Sequence, residues 1–317
     1  MSRVRDLTAR AIGELLRGPG LLLHIGPLVA RIGTSLIELV EPTRSLYAGF
    51  AIADAEPLED FEVRIERGTL LRRWFAPQAV AFVDGQRAFA PFPRSHCLPM
   101  LEWAINWCVF TRPNQYLLLH SAVVERGGRG LLLPGRPGAG KSTLAAGLVL
   151  RGWRLLSDEV AMVPPGTTQL VPVPRPVGLK NGSIDAIRRF APDVVLGPST
   201  AGTRKGTVAH MVPPDDSVAR GTEPARPAWI VFPRFESGVA TELRPVSRPE
   251  AFLRVAYQSF NYSMLGSVGF ETLAAIVARC ACYELRYHDL DEAVRAIEET
   301  DPAPSRPSSG ARSEVVP

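Results

Sequence analysis

The chain has 317 residues, 46% of them hydrophobic and 21% charged, with 36 Lys and Arg against 32 Asp and Glu. That length and apolar content fit a globular protein of one large domain or two ordinary ones, and a net charge of +4 with scattered Arg residues points to neither nucleic acid nor a membrane surface. No apolar run approaches the ~18 residues of a membrane span, and Leu21-Leu22-Leu23, preceded by Asp6 and Glu14, is too short and too late for a signal peptide, so a cytoplasmic protein without membrane insertion is expected.

From the N-terminus, Val4–Arg17 reads as a helix, because Val4, Leu7, Ala11 and Leu15 recur at helical spacing and Gly18-Pro19-Gly20 ends the run. Short strand-like runs follow at Leu21–Ile25, Leu36–Val40, Phe61–Ile65, Leu70–Phe75 and Ala79–Val83. Asp84-Gly85 signals a hairpin that returns over Arg87–Phe92. Leu98–Phe110 reads as a helix with Trp103 and Trp107 on one face, rings expected in the core. Arg112-Pro113-Asn114 breaks it, so residues 1–112 are expected to form a β-rich module without a chemical motif of its own. Cys97, Cys108, Cys280 and Cys282 lack the spacing of a zinc site and are expected to be reduced, buried thiols.

The second unit, 116–299, is organised around Gly135-Arg136-Pro137-Gly138-Ala139-Gly140-Lys141-Ser142, followed by Thr143. This fits G-x-x-x-x-G-K-[ST], the phosphate-binding (Walker A) loop. Its glycines let backbone N–H groups crowd round an anion, its Lys reaches the β- and γ-phosphates, and its hydroxyl holds Mg²⁺. The apolar strand Gly130–Pro134 before it and the Ala- and Leu-rich helix Lys141–Arg151 after it supply the context the motif needs. Ser121–Arg126, the turn Gly127-Gly128 and Arg129–Pro134 read as a hairpin pairing residues whose numbers sum to 255, which sets His120 opposite Gly135 at the mouth of the loop. A helix of about eleven residues leads ~16 Å away, and the strand Trp153–Ser157 returns by a parallel crossover, bringing Asp158-Glu159 back to the phosphate level at a strand end. A carboxylate there can bind Mg²⁺ or take a proton from an attacking hydroxyl.

Beyond it, strands are expected at Val160–Val163, near Leu170–Val173 and at Val177–Lys180, then a short helix over Asn181–Arg189. Ala191–Arg204 reads as a mobile loop beside the site, with Lys205 and His210 at its far end, and Pro213–Pro227 as another loop. Strands follow at Trp229–Phe232, Glu242–Val246 and Tyr283–Tyr287, with helices over Pro249–Gln258, Phe270–Ala281 and, begun by Asp289, Leu290–Glu299. The Pro- and Ser-rich tail Asp301–Pro317 is expected to be disordered.

His120-Ser121, the loop Gly135–Ser142 and Arg151-Gly152-Trp153-Arg154-Leu155-Leu156-Ser157-Asp158-Glu159 together resemble the C-terminal domain of bacterial HPr kinase/phosphorylase. Lys141 stands 21 residues after His120, and Asp158 stands 17 after Lys141. Arg175, in Pro174–Asn181, resembles a later Arg-Gly segment of that family. Three departures stand out: Arg136 replaces a family Asp, Val173 replaces a Glu magnesium ligand, and the acidic pair is Asp-Glu rather than Asp-Asp. They point away from the phosphorylase direction and from HPr as substrate. The chain is more similar to the divergent HPr kinase-related proteins, some of them exosortase-associated, with Lys205–His210 and Pro233-Arg234-Phe235 carrying that likeness.

The resemblance implies an α/β fold, a P-loop kinase domain of the HPr kinase type (PEP carboxykinase-like) behind the β-rich N-terminal module. It implies an ATP-dependent kinase acting on a Ser or Thr hydroxyl of a protein or small metabolite, with ATP and Mg²⁺. The expected catalytic residues are Asp158 as base, His120 beside it and Arg175 steadying the transferring charge. The nucleotide would be held by Gly135, Arg136, Pro137, Gly138, Ala139, Gly140, Lys141, Ser142 and Thr143, and Mg²⁺ by Ser142 and Glu159. The resemblance also implies a homo-oligomer, in hexamers or smaller rings. An ATP-binding sensor without phosphotransfer, favoured by Val173, and a nucleoside-triphosphate hydrolase are the alternatives.

Overall fold

The computed structural model describes residues 2–53, 58–68 and 76–300. The strand expected over Leu70–Phe75 and the tail Asp301–Pro317 lie outside them. The fold is mixed α/β, with three sheets among the described residues.

The expected first helix is divided. Val4–Asp6 is a separate 3-10 turn, and α1 (Ala9–Arg17) starts at Thr8, whose hydroxyl accepts the Ala11 N–H. A Thr that bonds the backbone ahead of it favours a cap over a helix interior. The first sheet runs β1 (Leu21–Ile25), β2 (Leu28–Thr34), β3 (Phe61–Arg67) and β4 (Gln78–Val83). The short β5 (Gln86–Arg87) and β6 (Phe92–Pro93) both pair with β4. Leu36–Val40 is not a strand but a 3-10 turn leading into α2 (Val40–Leu46), which accepts Pro42 in its first turn, where a missing N–H costs nothing. In α3 (Cys97–Thr111) the inner face is Leu98, Leu101, Ile105 and Cys108. Trp103 and Trp107 take the outer face, 38% and 41% exposed, and pack with Phe89 rather than in the core. All four cysteines are buried free thiols.

In the second unit β7 (Leu117–Arg126) and β8 (Arg129–Pro134) form the expected hairpin, with Ser121 opposite Pro134 and Arg126 opposite Arg129. The loop and α4 (Lys141–Leu150) follow, then β9 (Arg154–Ser157) and β10 (Val160–Val163). Both of these strands run antiparallel to β7 along one edge, so they are one extended run interrupted at Asp158-Glu159. The crossover is parallel in direction, as expected, but β7 lies between β8 and β9.

Next come β11 (Val177–Lys180), α5 (Gly182–Phe190), β12 (Thr200–Thr203), β13 (Gly206–Met211) and α6 (Asp215–Ala219). Leu170–Val173 makes only isolated bridges, whereas the segment expected to be a loop ends in β12, paired to β13. The chain closes with β14 (Arg226–Phe235), β15 (Glu242–Pro245), α7 (Arg248–Tyr257), α8 (Gly266–Arg279), β16 (Ala281–Tyr287) and α9 (Leu290–Glu298). The order across this sheet is β10/β9, β7, β8, β14, β16, β15, and β8, β14 and β16 are mutually parallel.

One face buries Leu144, Leu148, Ile187 and Val294 beneath α4, α5 and α9; the other buries Val255, Leu273 and Ile276 of α7 and α8. The edge of the sheet continues into the first unit. Leu118, Val160, Met162 and Val173 belong to the N-terminal core. Gly26, at φ +61°, lies so close to Pro172 that a Cβ there would fall 2.1 Å from its carbonyl oxygen.

Candidate phosphate-binding site

The hairpin register decides the layout. Pro134, the last residue of β8, pairs with Ser121, whose N–H donates to the Glu159 carbonyl at 3.2 Å. The start of the loop, the His120-Ser121 step and the acidic pair therefore share one line across three neighbouring strands. Two strand spacings, roughly 10 Å, separate the loop from Asp158-Glu159. His120 itself pairs with Val160 rather than Gly135, and its N–H donates to the Gln258 carbonyl at 2.7 Å.

Gly138 and Gly140 take φ +87° and +95°, the left-handed region that bends the chain back before α4. Gly140 leads α4 without a capping side chain, and among the described residues no acceptor meets the N–H groups of Lys141, Ser142 and Thr143. An uncapped ten-residue helix preceded by a glycine turn is a ready anion site. The loop is held from behind. The Phe235 N–H donates to the Ala139 carbonyl at 3.2 Å, and the Tyr287 hydroxyl donates to the Gly140 carbonyl at 3.2 Å. A Cβ at Gly140 would fall 2.2 Å from that hydroxyl. Gly140→Ala is therefore expected to weaken nucleotide binding at least tenfold through strain and displacement of Tyr287, with the rest of the fold kept; calorimetric titration with ATP and far-UV circular dichroism check both halves.

The Lys141 ammonium donates to the carbonyls of Gly135 at 2.7 Å and Arg136 at 3.3 Å, so it is already drawn across its own loop. Burial holds it below the usual lysine range, while Glu159 and Asp158 act in the opposite direction.

Asp158 is buried. Its Oδ2 accepts the Gly178 N–H of β11 at 3.0 Å, and its Oδ1 meets no hydrogen-bond partner. Burial first, and the Glu159 charge second, push its carboxyl up to about 6; the Gly178 N–H and the Ser142 hydroxyl act against them. Glu159 is half-buried, 3.4 Å from His120 Nε2. Burial pushes its carboxyl up, but His120, Lys180 and Lys141 outweigh burial and hold it below the usual range. The pair is thus split, one carboxyl poised near neutrality and one firmly ionised.

An unpartnered, buried carboxylate oxygen with a hydroxyl and a second carboxylate nearby suits a hard cation such as Mg²⁺. Ser142, Asp158 and Glu159 are the residues that would hold it. No cluster of three or more His, Cys, Asp or Glu ligands occurs among the described residues, so water and phosphate oxygens would complete the shell.

Arg175, expected to steady the transferring charge, is committed in this structure to the first unit. Its guanidinium is buried and turned into α3, donating to Asn106 Oδ1 at 2.7 Å and to Glu102 Oε2 at 3.0 Å, while Tyr47 donates to Glu102 Oε1 at 2.7 Å. A buried guanidinium needs a carboxylate, and the first unit supplies it. Val173 and Arg175 line, together with Asp158 and Glu159, a cavity of about 10 Å³ behind the carboxylates.

The cation that sequence reasoning left without a role is Lys180. On β11 it shares a face with Gly178, which bonds Asp158, and its charge acts on Lys141, Asp158, Glu159 and Lys205. Two residues separate Lys180 from Gly178, and that strand periodicity was the available signal, but only the packing of β11 against Asp158 gives it meaning. Tyr287 carried no signal beyond its place in an alternating strand. No family model and no curated protein matches this chain. Among the described residues no helix is long and apolar enough to cross a membrane.

Proposed function

We propose that this chain is an ATP-dependent kinase that transfers phosphate to a Ser or Thr hydroxyl of a protein or a small metabolite. The observation that carries the reading is the register line that sets a glycine loop with an uncapped helix start at the level of a buried carboxyl whose pKa is raised towards neutrality. Lys141 exchanges its loop carbonyls for phosphate oxygens, and the N–H groups of α4 bind the same anion. Asp158 takes the acceptor's proton, a task best done by a base titrating near working pH. Lys180 adds positive charge where phosphoryl transfer spreads negative charge over oxygen. Ser142, Asp158 and Glu159 would hold Mg²⁺, which would neutralise phosphate charge.

The test is ATP affinity by calorimetry beside mass-spectrometric detection of a phosphorylated acceptor in lysate. Lys141→Ala is expected to weaken ATP binding at least tenfold and to abolish transfer. Unchanged affinity in a folded Lys141→Ala protein removes Lys141 from the site. A second reading, an ATP-binding sensor without transfer, is favoured by the diversion of Arg175 to Glu102. It takes precedence if the wild type binds ATP and labels nothing.

A further inference from the structure

Beside the loop, over β14 and β16 and reaching to Gln258 next to His120, lies a cleft of about 730 Å³. Gly135, Arg136 and Ala139 of the loop form one wall, Leu253, Tyr257 and Gln258 of α7 and its end the other, and Phe232 and Pro233 of β14 the floor. Its volume falls in the range of small-molecule sites, about 300–1,000 Å³. Resting on the proposed phosphate role of the loop, we infer that this cleft receives the nucleoside of the bound triphosphate.

Sheet order supports this direction. The acidic pair lies on the β7 side of β8, and the floor of the cleft lies over β14 and β16 on the opposite side, with Gln258 at the edge nearest β7. A triphosphate with its terminal phosphate toward Asp158 spans the loop and leaves its nucleoside over β14.

The chemistry of the walls suits a flat heterocycle on a sugar. Tyr257 is 80% exposed and Leu253 68%, both on the cleft side of α7, so they offer apolar surface that the fold does not use. Arg254 is already committed: its guanidinium lies 3.8 Å over the Phe232 ring and pairs with Glu284 at 3.0 Å. Arg234, which also lines the cleft, is paired with Glu236, so the cationic groups of the floor are neutralised by carboxylates. Arg136 forms no ion pair among the described residues and sits at the joint between loop and cleft, where the innermost phosphate meets the ribose. The Gln258 side-chain amide has no partner among the described residues, because only its backbone is bonded, to Val255 and His120. An amide offers one donor and one acceptor, the pair that an adenine edge matches.

The experiment separates the cleft from the loop with two probes, MgATP and magnesium tripolyphosphate, titrated calorimetrically into the full chain. Wild type is expected to bind ATP more tightly than tripolyphosphate. Tyr257→Ala, at an exposed position that does not support the fold, is expected to weaken ATP by at least about fivefold, the lower end for loss of one base–aromatic stack, and to leave tripolyphosphate unchanged. Gln258→Ala is expected to act in the same sense. If both probes bind wild type equally and Tyr257→Ala changes neither, the cleft assignment falls while the loop reading stands. If Tyr257→Ala weakens both alike, the effect is structural and the assignment also falls. A wild type that binds neither probe removes the loop reading and the cleft with it.

Discussion

Replacing Asp158 by Asn is expected to lower phosphoryl transfer by about 10²–10⁴-fold while ATP affinity changes little. Asn keeps the shape and can still accept the Gly178 N–H, but it has no basic oxygen to take the acceptor's proton. On the proposed reading ground-state binding rests chiefly on Lys141 and the α4 amides, and Ser142 and Glu159 remain to hold Mg²⁺ when Asp158 is replaced. In the wild type, kcat should rise with pH through about 6 as Asp158 ionises, and that limb should vanish in the variant.

The same variant has a second signature with the opposite sign. The folded chain holds the Asp158 proton more tightly than an ordinary Asp does. Its contribution to stability is therefore full below an ordinary carboxyl pKa of about 4 and is lost as pH rises through about 6. At pH 7.5 the ionised, buried carboxylate weakens the fold, so Asp158→Asn should stabilise it there by about 2–3 kcal/mol and have little effect near pH 4. Urea unfolding at the two pH values, beside transfer rates, checks both. A variant that loses activity and stability together at pH 7.5 contradicts the assignment, and so does one that transfers at the wild-type rate.

Glu102→Ala is expected to cost about 3–5 kcal/mol of stability. It leaves the Arg175 guanidinium, 5% exposed, without a carboxylate, held only by Asn106 and the main-chain carbonyl of residue 102, with its Nε already unpartnered, and it strips the Tyr47 hydroxyl of its acceptor. Because Glu102 lies on α3 and Arg175 beside the wall behind Asp158, the loss should loosen the seam between the two units. Transfer should then fall while affinity for tripolyphosphate, which depends on the loop, persists. A urea midpoint within about 0.5 kcal/mol of wild type would show that this pair contributes little.

The local features were legible because their causes are local. The Gly127-Gly128 turn determines the β7–β8 register residue by residue. The glycines before Lys141 determine an uncapped helix start, and the helix and strand lengths return Asp158 to the level of the loop. Tertiary structure decided the rest, for reasons that strand pattern and spacing do not encode. Both faces of β7 are apolar, and nothing local says that β9 and β10 share its one free edge, so that Asp158-Glu159, at the expected end of β9, is also the break before a second strand on the same edge. Trp103 and Trp107 sit at helical spacing, but which stripe of an apolar helix faces the sheet depends on the partner, and Leu101 and Ile105 won that face. Leu36–Val40 has a strand's composition and was claimed by the turn into α2. Arg175 is the sharpest case. Its sequence neighbours resemble a catalytic segment, yet a buried guanidinium goes to the carboxylate that can follow it out of water, and that carboxylate, Glu102, comes from a helix 73 residues earlier in the chain.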